Sequence, residues 1–235
     1  EIHPTAADQA AGRDERYIEL TDGDGTRHRF EGATAGDGSV YWQEPAGVRL
    51  YLRQYSTTDA TRKWALSRPD RVTFFYDADG YPTSVEDRNG NRLSFTLATV
   101  PAGEQLGGVA KRVAEVTDAG GRTFTLAYWS ADEVRAPQVA GRIKRIADHN
   151  GSGLRFDYYD DGNLLRLTQE GGVKADGSPL ADRSIVFTYT TAAGDGPAVT
   201  DANARANPDA ATVQSSRLYS VRDPRGAETS FGYVT

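Results

Sequence analysis

The chain has 235 residues, 38% of them hydrophobic and 26% charged, with a formal charge of −6 and no cysteine. That size can bury a core as one large β domain or two smaller ones. The acidic balance excludes nucleic acid and anionic membranes as partners, and the lack of cysteine excludes a disulfide framework, a thiolate nucleophile and a Cys-based zinc site.

No apolar run approaches the roughly 18–20 residues of a spanning helix, and no signal-peptide pattern stands at the start. The chain begins at Glu1 and stops two residues after Tyr233, inside a predicted strand, so a piece of a longer protein is expected. Residues 1–16 are polar and Ala-rich, and predict a loose arm.

From residue 17 to 235 one skeleton recurs: an aliphatic residue two before an Asp, a Gly three after it and a large apolar residue eight after it. It fits Leu20, Asp22, Gly25 and Phe30; Val85, Asp87, Gly90 and Phe95; Val116, Asp118, Gly121 and Leu126; Ile146, Asp148, Gly151 and Phe156; and Val221, Asp223, Gly226 and Phe231. Asp at the first position of a four-residue turn accepts a backbone N–H, and Gly at the fourth supplies a positive φ without steric penalty. Each copy therefore predicts a hairpin turn. Asp77 with Gly80, and Asp160 with Gly162, predict two more at the opposite end of the ribbon.

Strands flank these turns. Val48, Leu50 and Leu52 alternate with polar or amphipathic residues, Trp64 and Leu66 suggest another strand, and Val72, Phe74 and Tyr76 alternate with Thr73 and Phe75. After the turns, Leu93/Phe95/Leu97, Phe124/Leu126/Tyr128, Leu154/Phe156/Tyr158 and Thr229/Phe231/Tyr233 share one parity, which predicts a buried aromatic face. Ser94/Thr96, Thr123/Thr125 and Arg155/Asp157 predict a wetter one. Before the turns, Val113, Ile143 and Leu218 have the wrong parity relative to Val116, Ile146 and Val221, which a bulge reconciles. Long inserts are expected at about 31–47, 98–110, 130–140, 171–182 and 191–214. No segment carries a 3.6-residue apolar period, so the fold class is all-β, made of repeated antiparallel hairpins.

Phe74 to Gly80 followed by Val85 to Phe95, and Gly141-Arg142-Ile143 through Leu164, resemble the YD repeats of the RHS and teneurin families. The resemblance covers roughly residues 64–235, and 17–30 more loosely. It implies hairpins added side by side into a curved, spiralling sheet, the wall of a shell. In bacterial members of the family the shell encloses a C-terminal toxin, and in teneurins it belongs to a cell-adhesion ectodomain. The implied partners are the rest of the shell and an enclosed or appended C-terminal domain, in a secreted or cell-surface, bacterial setting. Asp223-Pro224-Arg225-Gly226 resembles the self-cleaving end of an RHS core but also occupies an ordinary turn slot, the reading adopted here.

The chemistry-bearing residues point away from catalysis. The 33 Asp and Glu residues would allow a glycosidase-like pair, yet most Asp residues fall at turn offsets. Asp22-Gly-Asp24, Asp77-Ala-Asp79 and Asp87-Arg-Asn89 open like a calcium loop. A helix–loop–helix site needs Gly at six and an acid at twelve, where Asp87 leads to Arg92 and Ala98. The three His residues, 3, 28 and 149, are scattered, and Asn150-Gly151-Ser152 reads as a turn before it reads as a glycosylation acceptor. No enzyme activity, cofactor or metal is expected. Tyr41, Trp42 and Trp129, at or beside inserts, are the candidate ligand-binding aromatics for the alternative function, a carbohydrate- or protein-binding module.

Overall fold

The computed structural model describes residues 2–4, 17–34, 36, 40–56, 58–189 and 217–232, with backbone alone at 2–4, 34 and 40. The described residues are all-β. The strands are β1 (Ile2–Pro4), β2 (Tyr17–Thr21), β3 (Arg27–Thr34), β4 (Val40–Gln43), β5 (Tyr51–Gln54), β6 (Trp64–Ser67), β7 (Thr73–Tyr76), β8 (Pro82–Glu86), β9 (Arg92–Thr99), β10 (Lys111–Thr117), β11 (Thr123–Tyr128), β12 (Ile143–Ala147), β13 (Gly153–Tyr158), β14 (Leu164–Gln169), β15 (Arg183–Tyr189), β16 (Leu218–Arg222) and β17 (Glu228–Ser230). Helical structure among the described residues is limited to single 3-10 turns at Ala60–Arg62 and Leu106–Gly108.

The chain divides into two compact units, residues 1–97 with 116–122, and residues 98–115 with 123–235. In the first, β1 to β9 pair antiparallel in chain order. Directly opposed apolar residues form a row across it: Trp42 faces Leu52, Leu52 faces Leu66, Leu66 faces Phe74, Phe74 faces Val85 and Val85 faces Leu93. A single sheet can hide such a row only by folding the face onto itself. Trp42 and Trp64, on strands two apart, meet edge to face with ring centroids 4.9 Å apart. Around them Ile18, Leu20, Phe30, Leu52, Leu66 and Tyr76 complete the core. Burial fades along the row, from 3% exposed at Leu66 to 44% at Leu93.

In the second unit β11 to β17 pair in chain order. Here the parity expectation is corrected. Phe124, Leu154 and Phe231 are exposed, whereas on the opposite face Thr168 is 1% and Ser220 3% exposed. The reason is size and pairing. Thr168 bonds Ser184 across the strands at 3.0 Å and Thr188 bonds Ser220 at 2.8 Å, so short hydroxyls satisfy one another beneath longer neighbours. The rings stand taller, on a face where Phe231 stays 40% exposed.

Bulges sit at two of the three expected parity changes. Tyr128 pairs with Ile143 after Ala127 pairs with Arg145, and Tyr189 pairs with Leu218 after Thr188 pairs with Ser220, so Lys144 and Tyr219 are the extra residues. Two further bulges oppose Tyr76 and Tyr158.

Several expected loops are structured. Residues 2–4 of the expected arm form β1, while 5–16 lie outside the described residues. The 31–47 stretch continues β3 and contains β4, because Glu31, Gly32 and Ala33 find partners in Gln43, Trp42 and Tyr41. Residues 98–110 and 130–140 interlock. Glu104 Oε1 accepts the Ala131 N–H at 3.4 Å, and a side chain on Gly141, at φ 83°, would collide with the Glu104 carbonyl. Residues 171–182 close a small turn, with Gly177 N–H on the Lys174 carbonyl, beside a Val173–Pro179 bridge. The 191–214 insert lies outside the described residues.

Trp64→Ala is expected to lower the unfolding free energy in urea by about 3–5 kcal/mol, since it empties a ring-sized volume in the first unit's core. Arg71 holds φ 65° in a turn closed by its N–H on the Arg68 carbonyl, a conformation an L side chain resists. Arg71→Gly is expected to stabilise by up to about 1 kcal/mol in the same measurement.

Candidate functional site

The turns share one geometry. The Asp22, Asp77, Asp87, Asp118, Asp148 and Asp223 carbonyls each accept the N–H of Gly25, Gly80, Gly90, Gly121, Gly151 and Gly226, at 3.0–3.2 Å. Each of these glycines has φ between 78° and 88°, the left-handed region open to a residue without Cβ.

The carboxylates face inward on the turn itself. Asp87 Oδ1 accepts the N–H of Asn89 and Asn91 at 2.8 and 2.9 Å, Asp118 those of Gly120 and Arg122, Asp148 those of Asn150 and Ser152, and Asp223 those of Arg225 and Ala227. Asp22 differs: its Oδ1 takes the Gly23 N–H, and Asp24, two residues on, takes that of Thr26. Asp70, Asp161 and Asp176 do the same for Val72, Asn163 and Ser178. The carboxylate thus serves the turn from its first or its third position.

One turn is corrected by this pattern. The expected Asp160 start is displaced by one residue: Gly162 donates to the Tyr159 carbonyl, and Asp161 is the capping acid. The Tyr159 side chain explains the shift, because it is 1% exposed, donates its hydroxyl to the Phe187 carbonyl at 3.0 Å and packs edge to face on Tyr189.

Asp87 and Asp118 line one hollow of about 420 Å³. Acid–base hydrolysis by two carboxylates needs one of them protonated at working pH. Both are instead held below the ordinary carboxylate range, Asp87 chiefly by the Asn91 amide and Asp118 chiefly by the Arg122 guanidinium. Asn91 and Arg122 also occupy the second oxygens, at 2.8 and 2.7 Å. Asp161 is raised by burial, with Asn163 bonded to both of its oxygens. Among the described residues no three His, Asp or Glu side chains gather as a metal site would require.

The candidate aromatics separate. Trp42 is corrected: it is 4% exposed and packed on Trp64, a core ring that no ligand reaches. The Trp129 indole donates to the Phe156 carbonyl at 3.0 Å, and the Lys144 ammonium lies 4.6 Å from its ring centroid. Tyr41 is 43% exposed, on the face of the first unit that also displays Tyr51.

The sequence reading missed a recurrent tyrosine clasp. Tyr128, Tyr158 and Tyr189 end their strands opposite a bulge, and their hydroxyls donate to the carbonyls of Val113, Ile143 and Leu164 at 2.6, 3.0 and 3.1 Å. Ile143 opposes Tyr128 and Leu164 opposes Tyr158, so the Tyr158 and Tyr189 clasps each land on the bulge of the one before. The Arg112 guanidinium lies 4.2 Å from the Tyr128 ring centroid, and Arg142 lies 5.6 Å from that of Tyr158. The signal was present as Arg112-Val113 and Arg142-Ile143 preceding tyrosines at one spacing. Tyr76 stands at an equivalent bulge, opposite Pro82, without this clasp.

No family model matches the sequence, and no curated protein does. Solved structures that match are the crystal structure of TcdB2-TccC3-TEV (12% identity, 92% of this chain, TM-score 0.23), the Photorhabdus luminescens Tc holotoxin pore with mutated TccC3 (10%, 93%, TM-score 0.23) and the crystal structure of TcdB2-TccC3-Cdc42 (10%, 93%, TM-score 0.18). This chain spans 13–15% of the length of those chains.

Tyr158→Phe is expected to cost about 1 kcal/mol in urea unfolding by leaving the Ile143 carbonyl without its donor. Burial raises all three clasp phenols above the ordinary value near 10. Their contribution is therefore complete below about pH 10 and lost as pH rises through the folded values. Alkaline titration followed by circular dichroism should show wild type losing stability above about pH 10, and a variant with Phe at 128, 158 and 189 losing less.

Proposed function

We propose that this chain is a non-catalytic structural module, a segment of the β-sheet wall of a secreted or cell-surface RHS/YD-repeat protein, bacterial in origin, that encloses or scaffolds a further domain. The observation that carries the reading is the repeated use of chemistry-bearing residues for backbone work. Acids at Asp87, Asp118, Asp148 and Asp223 bind their own turns, and tyrosines at 128, 158 and 189 bind carbonyls of neighbouring strands. A module built this way extends by adding identical hairpins, each burying what its neighbour cannot bury alone. The partners of such a wall are the remaining repeats and the enclosed domain.

A second reading, a glycan- or protein-binding module, rests on the exposed Tyr41 and Tyr51, which are 43% and 54% accessible on neighbouring strands. Aromatic faces of this kind stack on sugar rings as well as on protein partners.

A glycan array and a panel of glycosidase and esterase substrates separate these readings. The wall reading expects silence from both, with Tyr41→Ala changing urea stability by less than about 0.5 kcal/mol. Saturable glycan binding abolished by Tyr41→Ala or Tyr51→Ala would replace the wall with the binding module, and turnover lost in Asp118→Asn would replace both.

A further inference from the structure

The first unit forms a half-open hollow of about 800 Å³. Its lining is largely apolar, including Leu20, Leu50, Leu66, Phe74, Val85 and Phe95. The size falls within the range of roughly 300–1,000 Å³ typical of small-molecule sites. Its polar groups are few, among them Tyr76, Asp22 and Arg68.

Tyr76 is the informative one. The residue is 6% exposed, yet its hydroxyl makes no hydrogen bond to any described group. Its counterparts Tyr128, Tyr158 and Tyr189 all donate to a carbonyl. The ring is buried while the hydroxyl itself reaches accessible space, which leaves a free donor there. Tyr76 lines the hollow, so a molecule seated there meets that donor.

We infer that this hollow binds a neutral, largely apolar small molecule carrying one hydrogen-bond acceptor, a ketone, ester or ether, which accepts a hydrogen bond from the Tyr76 hydroxyl. Charge decides against an anion. Asp22 places a negative charge close enough to act on the Tyr76 phenol, and together with burial it disfavours a second negative centre there. The Arg68 cation, the one positive charge in the lining, is half exposed and lies 3.8 Å from Asp70. A cation would find Asp22 as its single anionic partner in an otherwise largely apolar lining, which offers it little in place of water.

The test uses the whole chain with Nile red, a neutral apolar dye bearing a carbonyl, and displacement by 2-tridecanone or tridecanoate. Saturable Nile red fluorescence is expected, with the ketone displacing it at least tenfold more effectively than the carboxylate. Tyr76→Phe keeps the ring and loses no bond within the protein, so its thermal stability should stay at the wild-type value while ketone affinity falls about fivefold. Leu50→Trp, which fills part of the hollow, should weaken both dye and ketone. Absence of saturable dye binding, tridecanoate binding as well as the ketone, or an unchanged ketone affinity in Tyr76→Phe each overturns the assignment. Silence on a glycan array has no bearing on it.

Discussion

Closing a hairpin on a three-residue loop leaves two backbone N–H groups pointing into the turn, and a carboxylate oxygen takes both at Asp87, Asp118, Asp148 and Asp223 and one of them at Asp24, Asp70, Asp161 and Asp176. Asp118 shows the arrangement complete: one oxygen on Gly120 and Arg122 N–H groups, the other on the Arg122 guanidinium. A left-handed glycine then returns the chain in register with the strand it came from. Within each unit the next strand pairs with the last, so the sheet grows there one hairpin at a time. The acidic composition is in large part the trace of this device.

Tyrosine solves a second problem. Each bulge adds a residue to one strand and interrupts the ladder, leaving backbone carbonyls at the margin of the sheet to find donors. A phenol hydroxyl reaching from the following hairpin to Ile143 or Leu164 supplies one, and its ring covers the irregular edge. The guanidinium beside the ring, Arg112 at Tyr128 and Arg142 at Tyr158, adds an attraction between cation and aromatic face. Turn and clasp together occupy the residue types that would otherwise invite a catalytic interpretation.

The turns were legible in the sequence because Asp and Gly at fixed offsets have few other uses, and the bulges after Ile143 and Leu218 because a strand cannot change parity without one. The Arg68 to Arg71 turn was hidden, since an arginine stands where the others have glycine and only Pro69-Asp70 marks it. Asp160 misled because two adjacent acids fit the offset, and the choice between them was made by Tyr159, whose burial depends on Phe187 and Tyr189 far along the chain. Trp42 misled for a related reason. Its flanks read as an insert, while its burial comes from Trp64 and Leu52, contacts that periodicity in one strand does not encode.

The exposed rings of the second unit follow from the same economy of layers. A sheet one layer thick presents two faces, and neither is covered unless the sheet curls or meets another surface. The first unit curls: Leu20 and Gly23 from the β2–β3 hairpin share a cavity with Phe74 and Val85 of β7 and β8, and the aromatic face closes on itself. In the second unit the hydroxyl pairs and their long neighbours bury the opposite face, so Phe124 and Leu154 keep over a third of their surface in water. Apolar side chains left in that state are available to a further covering surface. Burial of that face by contents or by further repeats would contribute roughly 25 cal/mol for each Å² covered, a term the described chain by itself leaves unrealised.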